Sequence, residues 1–228
     1  MLTVVTYNVH RCIGRDGQRD AGRVYRVLQQ LRADIAGLQE VESAGTDGNR
    51  QLLAMAEQDG FYVVTGPTLT RSDSRYGNAL LLRMPPRQVH RHDLSVPGRE
   101  PRGALEARIV VGDTPVRIIV THLGLRADER RRQFAALGAI LAGQRDAPTV
   151  LMGDFNEWWP RARSLGKVAR ALSHGPSLRT FPARRPMLAL DRIWASSHLQ
   201  QHALMVHRSP EAALASDHLP LKAVLELL

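Results

Sequence analysis

The chain has 228 residues, 43% of them apolar, which is enough to bury a sizeable core, and it has no apolar run near the ~20 residues that span a bilayer. Lys and Arg number 31 against 22 Asp and Glu, a formal charge of +9 that suits anionic partners such as nucleic acid or acidic lipid; with Lys167 and Lys222 the only lysines, a compositional bias toward arginine accounts for the excess equally well. Cys12 is the only cysteine, which excludes an intramolecular disulfide and a thiolate zinc site.

Met1 to Tyr7 carry no basic leader and begin an alternating pattern, so the expectation is a cytoplasmic protein whose first strand covers residues 2–9. Asp20 reads as the N-cap of a helix with Val24, Val27, Leu28 and Leu31 on one face. Ile35 to Val41 is a short apolar run of buried-strand type. A helix over Asn49–Gln58 and a strand over Phe61–Thr65 follow, then a polar Gly/Pro-containing segment, 66–76, expected to be a loop. Ala79–Leu82 reads as a strand stopped by Pro85-Pro86.

Ala104–Val111 and Val116–Thr121 flank Gly112-Asp113-Thr114-Pro115, a hairpin turn. Ala127–Leu141 is a helix with Phe134, Leu137, Ile140 and Leu141 inward and Arg130, Arg131 and Arg132 largely outward. Thr149–Met152 is a strand ending at Gly153, and Pro160 is placed to open a helix reaching Leu172. Leu190–Ala195, Ala203–His207 and Leu219–Leu225 complete the strands. Strand–helix units at the start and antiparallel pairs in the middle fit two packed mixed sheets with outer helices better than one parallel sheet. With no linker or repeat, residues 1–228 read as a single domain.

Several apolar strands finish in polar residues: Asn8 and His10, Glu40 and Glu42, His122, Asp154 and Asn156, Asp191, and Asp217-His218. One strand-end Asp or Asn is an ordinary turn former, but several carboxylates gathered together need a cation or hydrogen bonds to balance them. Period-two alternation lets Asn8 and His10 share a direction, as it does Glu40 and Glu42. Carboxylate and amide oxygens suit hard ions, Mg²⁺ or Mn²⁺. The chain carries no phosphate-loop, G-x-S-x-G, H-E-x-x-H or G-x-G-x-x-G motif, so those routes to catalysis lack support.

Thr6-Tyr7-Asn8, Leu38-Gln39-Glu40-Val41, Gly77-Asn78-Ala79-Leu80, Thr121-His122-Leu123, Gly153-Asp154-Phe155-Asn156, Leu190-Asp191-Arg192-Ile193 and Ser216-Asp217-His218-Leu219-Pro220 follow one another in an order that resembles the endonuclease/exonuclease/phosphatase superfamily, the deoxyribonuclease I-like phosphoesterases. The resemblance implies an α/β (α+β) four-layer sandwich, two mixed β-sheets between helices, and a Mg²⁺- or Mn²⁺-dependent phosphoric ester hydrolase. It implies Glu40 as principal metal ligand with Asn8 and Asp217 nearby, and Asp154 orienting or deprotonating the attacking water. Asn156 and His122 would hold phosphate oxygens, and His218, kept in place by Asp191, would stabilise the developing charge. Asn78 counts among the substrate contacts. His10 stands where the AP endonucleases of the superfamily carry a metal-binding aspartate, so one metal position is expected there rather than two.

Three substrate readings remain. A nuclease or DNA-end phosphodiesterase is favoured by the arginine excess, by Trp158-Trp159 just after the metal motif, and by Arg71, Arg75 and Tyr76, placed to grip backbone phosphates. For the tryptophan pair itself, packing of its loop onto the core is the favoured expectation over stacking on bases. A phospholipid or other small phosphodiester hydrolase at a membrane surface would use the same basic face. A non-catalytic binding module, the third reading, is disfavoured because the whole polar set is present. A monomer is expected.

Overall fold

The computed structural model describes residues 1–44, 49–70, 75–144, 146–159, 162, 164–169 and 171–228. Strand β1 (Leu2–Asn8) runs parallel to β2 (Ile35–Ala44), and the crossover between them is α1 (Ala21–Leu31). Asp20 caps α1, its carboxylate accepting from the Arg23 amide. Helix α2 (Asn49–Gln58) leads to the hairpin β3 (Tyr62–Thr70) and β4 (Arg75–Leu82), and β4 pairs antiparallel with β2. The last strands, β11 (Leu199–Val206) and β12 (Leu221–Leu227), join the other side of β1, giving one sheet in the order β11-β12-β1-β2-β4-β3.

The second sheet repeats this plan. Strands β5 (Gln88–Asp93), β6 (Gly103–Val111), β7 (Thr114–His122), β8 (Thr149–Asp154), β9 (Ser173–His174) and β10 (Asp191–Ala195) form the order β5-β6-β7-β8-β10-β9. Here β7 and β8 are the parallel pair, and α3 (Ala127–Ala142) is the crossover. Each sheet thus has one parallel pair near its middle, with antiparallel strands outward from it. A short α4 (Gly166–Ala169) and α5 (Pro210–Ala215), capped by Ser209, complete the helices among the described residues.

The two sheets face each other across a shared core that includes Val4, Ile35, Leu80 and Leu82 from one and Ile118, Val120, Met152 and Ile193 from the other. Outside the first sheet α1, α2 and α5 cover Val5, Tyr7, Leu38 and Leu81; outside the second, α3 and α4 cover Ile119, Leu151 and Trp194. This is the expected sandwich of two mixed sheets flanked by helices. The sheets pack tightly at Gly37, where a Cβ would stand 2.9 Å from both Met152 Sδ and Val120 Cγ2.

Several expectations are corrected. Residues 66–70 and 75–76 are hairpin strand rather than loop, while Arg71 lies outside the described residues. Pro67 is tolerated because β3 is the sheet edge and its register shifts between Pro67 and Leu69. Strand β1 stops at Asn8, and His10–Cys12 form a tight turn with positive φ throughout, so the alternation argument does not reach His10. Pro160 lies outside the described residues, and among the described residues of the helix expected there Gly166–Ala169 are helical. Strands β5 and β9 and helix α5 carry no strong apolar period and went unread; β5 is an exposed edge, paired only with β6. The last two strands run Leu199–Val206 and Leu221–Leu227, shifted from the expected bounds.

Arg130 is the sharpest correction. It is buried rather than outward, with its Nε 3.2 Å from Glu157 Oε2 and its Nη1 donating to the Leu125 carbonyl at 2.6 Å. A helical period separates faces by hydrophobicity, and it cannot foresee a buried carboxylate that makes an inward arginine favourable.

Candidate active site

The carboxyl ends of both parallel pairs open on the same edge of the sandwich, the usual place for ligands in α/β sheets. In the second sheet, His122 is in register with Asp154, and Asp154 with Asp191, so three polar residues from β7, β8 and β10 form a row across the strand ends. In the first sheet, Asn8 ends β1 in register with Gln39 of β2. The two rows meet through the Asn8 amide, whose Nδ2 donates to Glu40 Oε1 at 3.0 Å and to Asp154 Oδ2 at 3.1 Å.

The segment Gly153-Asp154-Phe155-Asn156 shows why these residue types stand together. Gly153 has φ +149°, and a Cβ there would fall 1.9 Å from the Thr121 carbonyl oxygen, so β7 and β8 could not meet with any other residue at this place. Phe155 turns into the core, its ring 4.6 Å from that of Trp194 and 5.8 Å from that of Phe134. That anchor leaves Asp154 at the bottom of the site. Asn156 takes φ 51°, a left-handed conformation asparagine tolerates, and its backbone N–H donates to Asp154 Oδ1 at 2.9 Å.

Glu40 is aimed by a β-bulge. The pairing of β2 with β4 jumps from Leu38–Ala79 to Val41–Gly77, so Gln39 and Glu40 share the place opposite Asn78, and Glu40 sits at φ 59°. Glu42, two residues on, is already paired: Arg11 Nε donates to it at 2.8 Å and Arg19 Nη1 at 2.9 Å. No described residue pairs a cation with Glu40, whose contacts are the Asn8 amide and the Tyr76 hydroxyl. Burial, with the Glu40 charge beside it, pushes the Tyr76 phenol well above its ordinary value, so Tyr76 is a neutral donor.

Two imidazoles flank Asp154 in opposite charge states. His218 Nε2 and His122 Nε2 each lie 3.6 Å from Asp154 Oδ2. Burial lowers the His122 pKa to about 3 against the pull of Asp154, so the ring is neutral. Its Nε2 then accepts from Asn156 Nδ2 at 3.1 Å, which assigns the ring proton to Nδ1; the same amide also donates to the Leu123 carbonyl at 2.8 Å. Burial acts on His218 in the same direction, but the Asp191 and Asp154 carboxylates outweigh it and raise the pKa to about 10, so this ring is an imidazolium. Its Nδ1 donates to Asp191 Oδ2 at 2.9 Å.

Thr180 and Ser216 are supporting residues to which the sequence reading gave no role. The Thr180 hydroxyl donates to Asp191 Oδ2. Ser216 Oγ donates to the Asn8 carbonyl at 2.7 Å and accepts from the His218 amide at 3.2 Å, which fastens the Asp217-His218 loop to the end of β1. The Ser216-Asp217-His218 motif was visible, but its serine only acquires a task once β1 lies alongside. Arg102, also unforeseen, is buried next to this site just before β6.

The remaining sequence-predicted residues sort by position. Asn78 is buried and donates to the Gly103 carbonyl at 3.0 Å, and it lines a recess with Glu40, Tyr76 and His122. Asp217 is partly exposed; its carboxylate lies 3.8 Å from His10 Nδ1, and no contact joins it to Glu40 among the described residues. Arg75 is exposed at the start of β4, its carbonyl 3.4 Å from the Ser43 hydroxyl, and it makes no contact with the site among the described residues. Trp158 and Trp159 are 54% and 55% exposed, packed edge to face at 5.8 Å, rather than turned onto the core. Beside them a cavity of about 920 Å³ is lined by Arg126, Arg131 and Glu157 among others.

The donor set fits a hard divalent ion. Glu40 and Asp154 both accept from the Asn8 amide, the His218 imidazolium lies on Asp154 and Asp191, and Asp191 Oδ1 is buried without a partner among the described residues. Asp154, Asp191 and His218 also present ligand atoms within 4.8 Å of one another, but an imidazolium has no free lone pair, so Glu40 is the better ligand. The Asn8 oxygen accepts from the His10 amide at 3.0 Å, and in this arrangement its amino group holds Glu40 and Asp154 in place.

Fold and site together define a phosphate-ester hydrolase of the deoxyribonuclease I type. The chain belongs to the endonuclease/exonuclease/phosphatase family, whose model matches residues 5–218. It is 31% identical to the uncharacterised protein YbhP of Escherichia coli K12, over 98% of this chain and 96% of that one. Among solved structures, mannosyl-6-phosphatase Bt3783 of Bacteroides thetaiotaomicron superposes with a TM-score of 0.80 at 20% identity, covering 100% of both chains. The human Nocturnin catalytic domain superposes with 0.78 at 20% identity, covering 100% of this chain and 93% of that one. At such identities these structures speak for the fold alone.

Proposed function

We propose that this protein is a phosphodiester hydrolase that uses Mg²⁺ or Mn²⁺ and acts on nucleic acid. The observation that carries the reaction class is the His218 imidazolium held between Asp191 and Asp154, with the Glu40 carboxylate free of any cation among the described residues. Glu40 would hold the ion, next to Asn8 and with Asp217 at the rim. The ion, when bound, supplies Lewis-acid stabilisation of phosphate oxygens. Asp154 orients the attacking water and takes its proton. The neutral His122 donates through its other ring nitrogen, Asn156 contributes amide polarity, and His218 stabilises the charge that builds on the non-bridging oxygens.

Nucleic acid is favoured over phospholipid by the exposed Trp158 and Trp159, which follow Asn156 after Glu157, and by Arg126 and Arg131 on the cavity beside them. Flat rings stack on bases, and guanidinium groups pair with backbone phosphates. Tyr76, Asn78 and Arg75 are the further proposed substrate contacts. No helix among the described residues is long and apolar enough to cross a membrane. A monomer working in the cytoplasm is the simplest form of the proposal.

The test is a substrate panel under Mg²⁺ with wild type and Asp154→Ala: supercoiled plasmid, abasic-site duplex, and mixed phospholipid vesicles. Cleavage of nucleic acid by wild type alone is expected. Cleavage of lipid alone would overturn the nuclease reading, and no turnover of any substrate, including bis-(p-nitrophenyl) phosphate with Mn²⁺, would overturn the hydrolase reading.

A further inference from the structure

Two loops leave the strand ends at the edge where the site opens, one after His122 of β7 and one after Asp154 of β8. Buried contacts fix them to each other. Glu157 is 5% exposed, and its carboxylate accepts from Arg130 Nε at 3.2 Å, from the Ser164 hydroxyl at 3.3 Å and from the Trp159 amide at 3.3 Å. Its carbonyl accepts from Arg192 Nη2 at 2.9 Å. Across the gap, Arg130 Nη1 donates to the Leu125 carbonyl at 2.6 Å and Asn156 Nδ2 to the Leu123 carbonyl at 2.8 Å. Charge-assisted bonds of this kind hold one geometry, so the surface these loops present is set before any ligand arrives.

That surface combines flat apolar rings with positive charge. Trp158 and Trp159 are 54% and 55% exposed, and their rings meet at 82°, so they form two walls of a corner rather than a flat plate. With Arg126 and Arg131 they line the cavity of about 920 Å³. Small-ligand sites span ~300–1,000 Å³, so the cavity has room for a nucleotide and not merely for water. Both carboxylates on its lining are engaged, Glu157 by Arg130, and Asp128 by Arg126 at 3.6 Å and Arg99 at 3.8 Å. Arg131 is exposed, and no carboxylate pairs with it among the described residues. Trp158 follows Asn156 by two residues, which keeps their Cα atoms within about 7 Å. The corner therefore stands beside the place of the reacting phosphate, within reach of a neighbouring base.

We propose that this corner takes one unpaired base next to the reacting phosphate, with Arg126 and Arg131 on the flanking backbone, so that the protein prefers single-stranded or locally unpaired nucleic acid to continuous duplex. This rests on the nucleic-acid reading above and adds the strandedness of the substrate. In a duplex the neighbouring bases cover both faces of every base, so an indole stacks only on a base that has left the helix. Two rings at right angles cannot both stack on the same base. One supplies the face, and the other is the wall against which the edge of the base rests.

Binding in EDTA reads the proposal without turnover. A fluorescein-labelled short single-stranded oligonucleotide and the blunt duplex of the same sequence are titrated by anisotropy, with tryptophan emission followed in parallel on unlabelled strands. The third tryptophan, Trp194, is 4% exposed, so quenching reports on the pair. Wild type should bind the single strand more tightly than the duplex, with quenching by the single strand. Loss of one stacked base predicts that Trp158→Ala or Trp159→Ala weakens single-strand affinity by about 5- to 150-fold and duplex affinity far less. The corresponding Phe variants keep a flat ring and should retain most of the affinity. Arg131→Gln should flatten the salt dependence on the single strand by about 0.7 in log–log slope, the share of one phosphate contact. Equal affinity of wild type for single strand and duplex overturns the inference, as does absence of quenching; these two readouts decide even if the Ala variants do not fold. Single-strand affinity within about twofold of wild type in both Ala variants overturns it as well. Binding of anionic phosphatidylglycerol vesicles with no binding of either oligonucleotide overturns it in favour of a lipid surface. Failure of the hydrolase reading looks different: single strands are held through the tryptophans, yet no substrate of the panel is cleaved under Mg²⁺ or Mn²⁺.

Discussion

His218 Nδ1 lies 2.9 Å from Asp191 Oδ2, and the residues belong to the loop before β12 and the start of β10, so this pair ties the first sheet to the second across the mouth of the site. The Thr180 hydroxyl donates to the same carboxylate oxygen. Asp191 thus fixes both the orientation and the charge of the imidazole that faces Asp154.

Replacing Asp191 with Asn removes the largest force that raises the His218 pKa, while burial, which lowers it, remains. The imidazolium would then be lost at lower pH. Activity that depends on it should keep its alkaline limb near pH 10 in wild type and lose it toward neutrality in Asp191→Asn. At neutral pH kcat should fall by roughly 10²–10³-fold, the range for losing a charged transition-state donor. A pH–rate profile of both proteins checks this; equal alkaline limbs would contradict it.

Glu40→Gln separates the ion from the rest of the site. Wild type should be stabilised by Mn²⁺, with about 2.7 kcal/mol gained at 100 times the dissociation constant. For a chain of this size that is a rise in Tm of roughly 5–10 °C. Glu40→Gln should show almost none of it, whereas Glu42→Gln should keep it, because Glu42 is already engaged by Arg11 and Arg19. Thermal melts with and without Mn²⁺ decide.

His122 makes the metal-free protein acid-sensitive. Burial holds its folded-state pKa at about 3, whereas the ordinary value is 6.5. The unfolded chain therefore takes up a proton near 6.5 that the folded chain refuses until about 3; the stability involved is present above 6.5 and is lost as pH falls between the two. The slope is up to about 1.4 kcal/mol per pH unit for one proton. His218 does not interfere in this window, since its raised pKa makes it protonated in both states below 6.5. Denaturant melts from pH 7 to 4 should show His122→Gln losing stability less steeply than wild type; parallel curves would refute the assignment.

Arg130→Ala should destabilise by about 3–5 kcal/mol, because it leaves the buried Glu157 carboxylate without its cation. Arg130→Ala with Glu157→Gln should recover much of that loss. Since Glu157 anchors the segment that displays Trp158 and Trp159, the single variant should also weaken binding of single-stranded oligonucleotide. An exposed Arg130, as helical periodicity alone suggested, would produce changes under about 0.5 kcal/mol.

Much of the architecture was readable because it rests on local rules. Asp20 marked the start of α1, the apolar runs marked β1, β2, β7 and β8, and Gly112-Asp113 marked the β6–β7 turn. Strand β5, with Gln88, His90, Arg91 and Asp93 among its six residues, was unreadable because an edge strand is held by backbone pairing that any side chain permits. The ordered motifs likewise named Asn8, Glu40, Asp154, Asn156, Asp191, Asp217 and His218 as one candidate set, since residue type and order along the chain are properties of sequence.

What only the tertiary structure decided is how those residues divide. Strand alternation alone left Glu40 and Glu42 on one face and only the family resemblance preferred Glu40; the bulge at Glu40 together with Arg11 and Arg19 on Glu42 gives the physical difference between them. The resemblance gave His122 and His218 different tasks but not their charge states; one is neutral because nothing offsets its burial enough, the other charged because Asp191 lies 2.9 Å away. Sequence alone said nothing of Arg102, which no motif contains and which reaches the site only because β6 lies beside β7. Charge state and partnership depend on distances between residues far apart in the chain. Those distances exist only after the two sheets have packed.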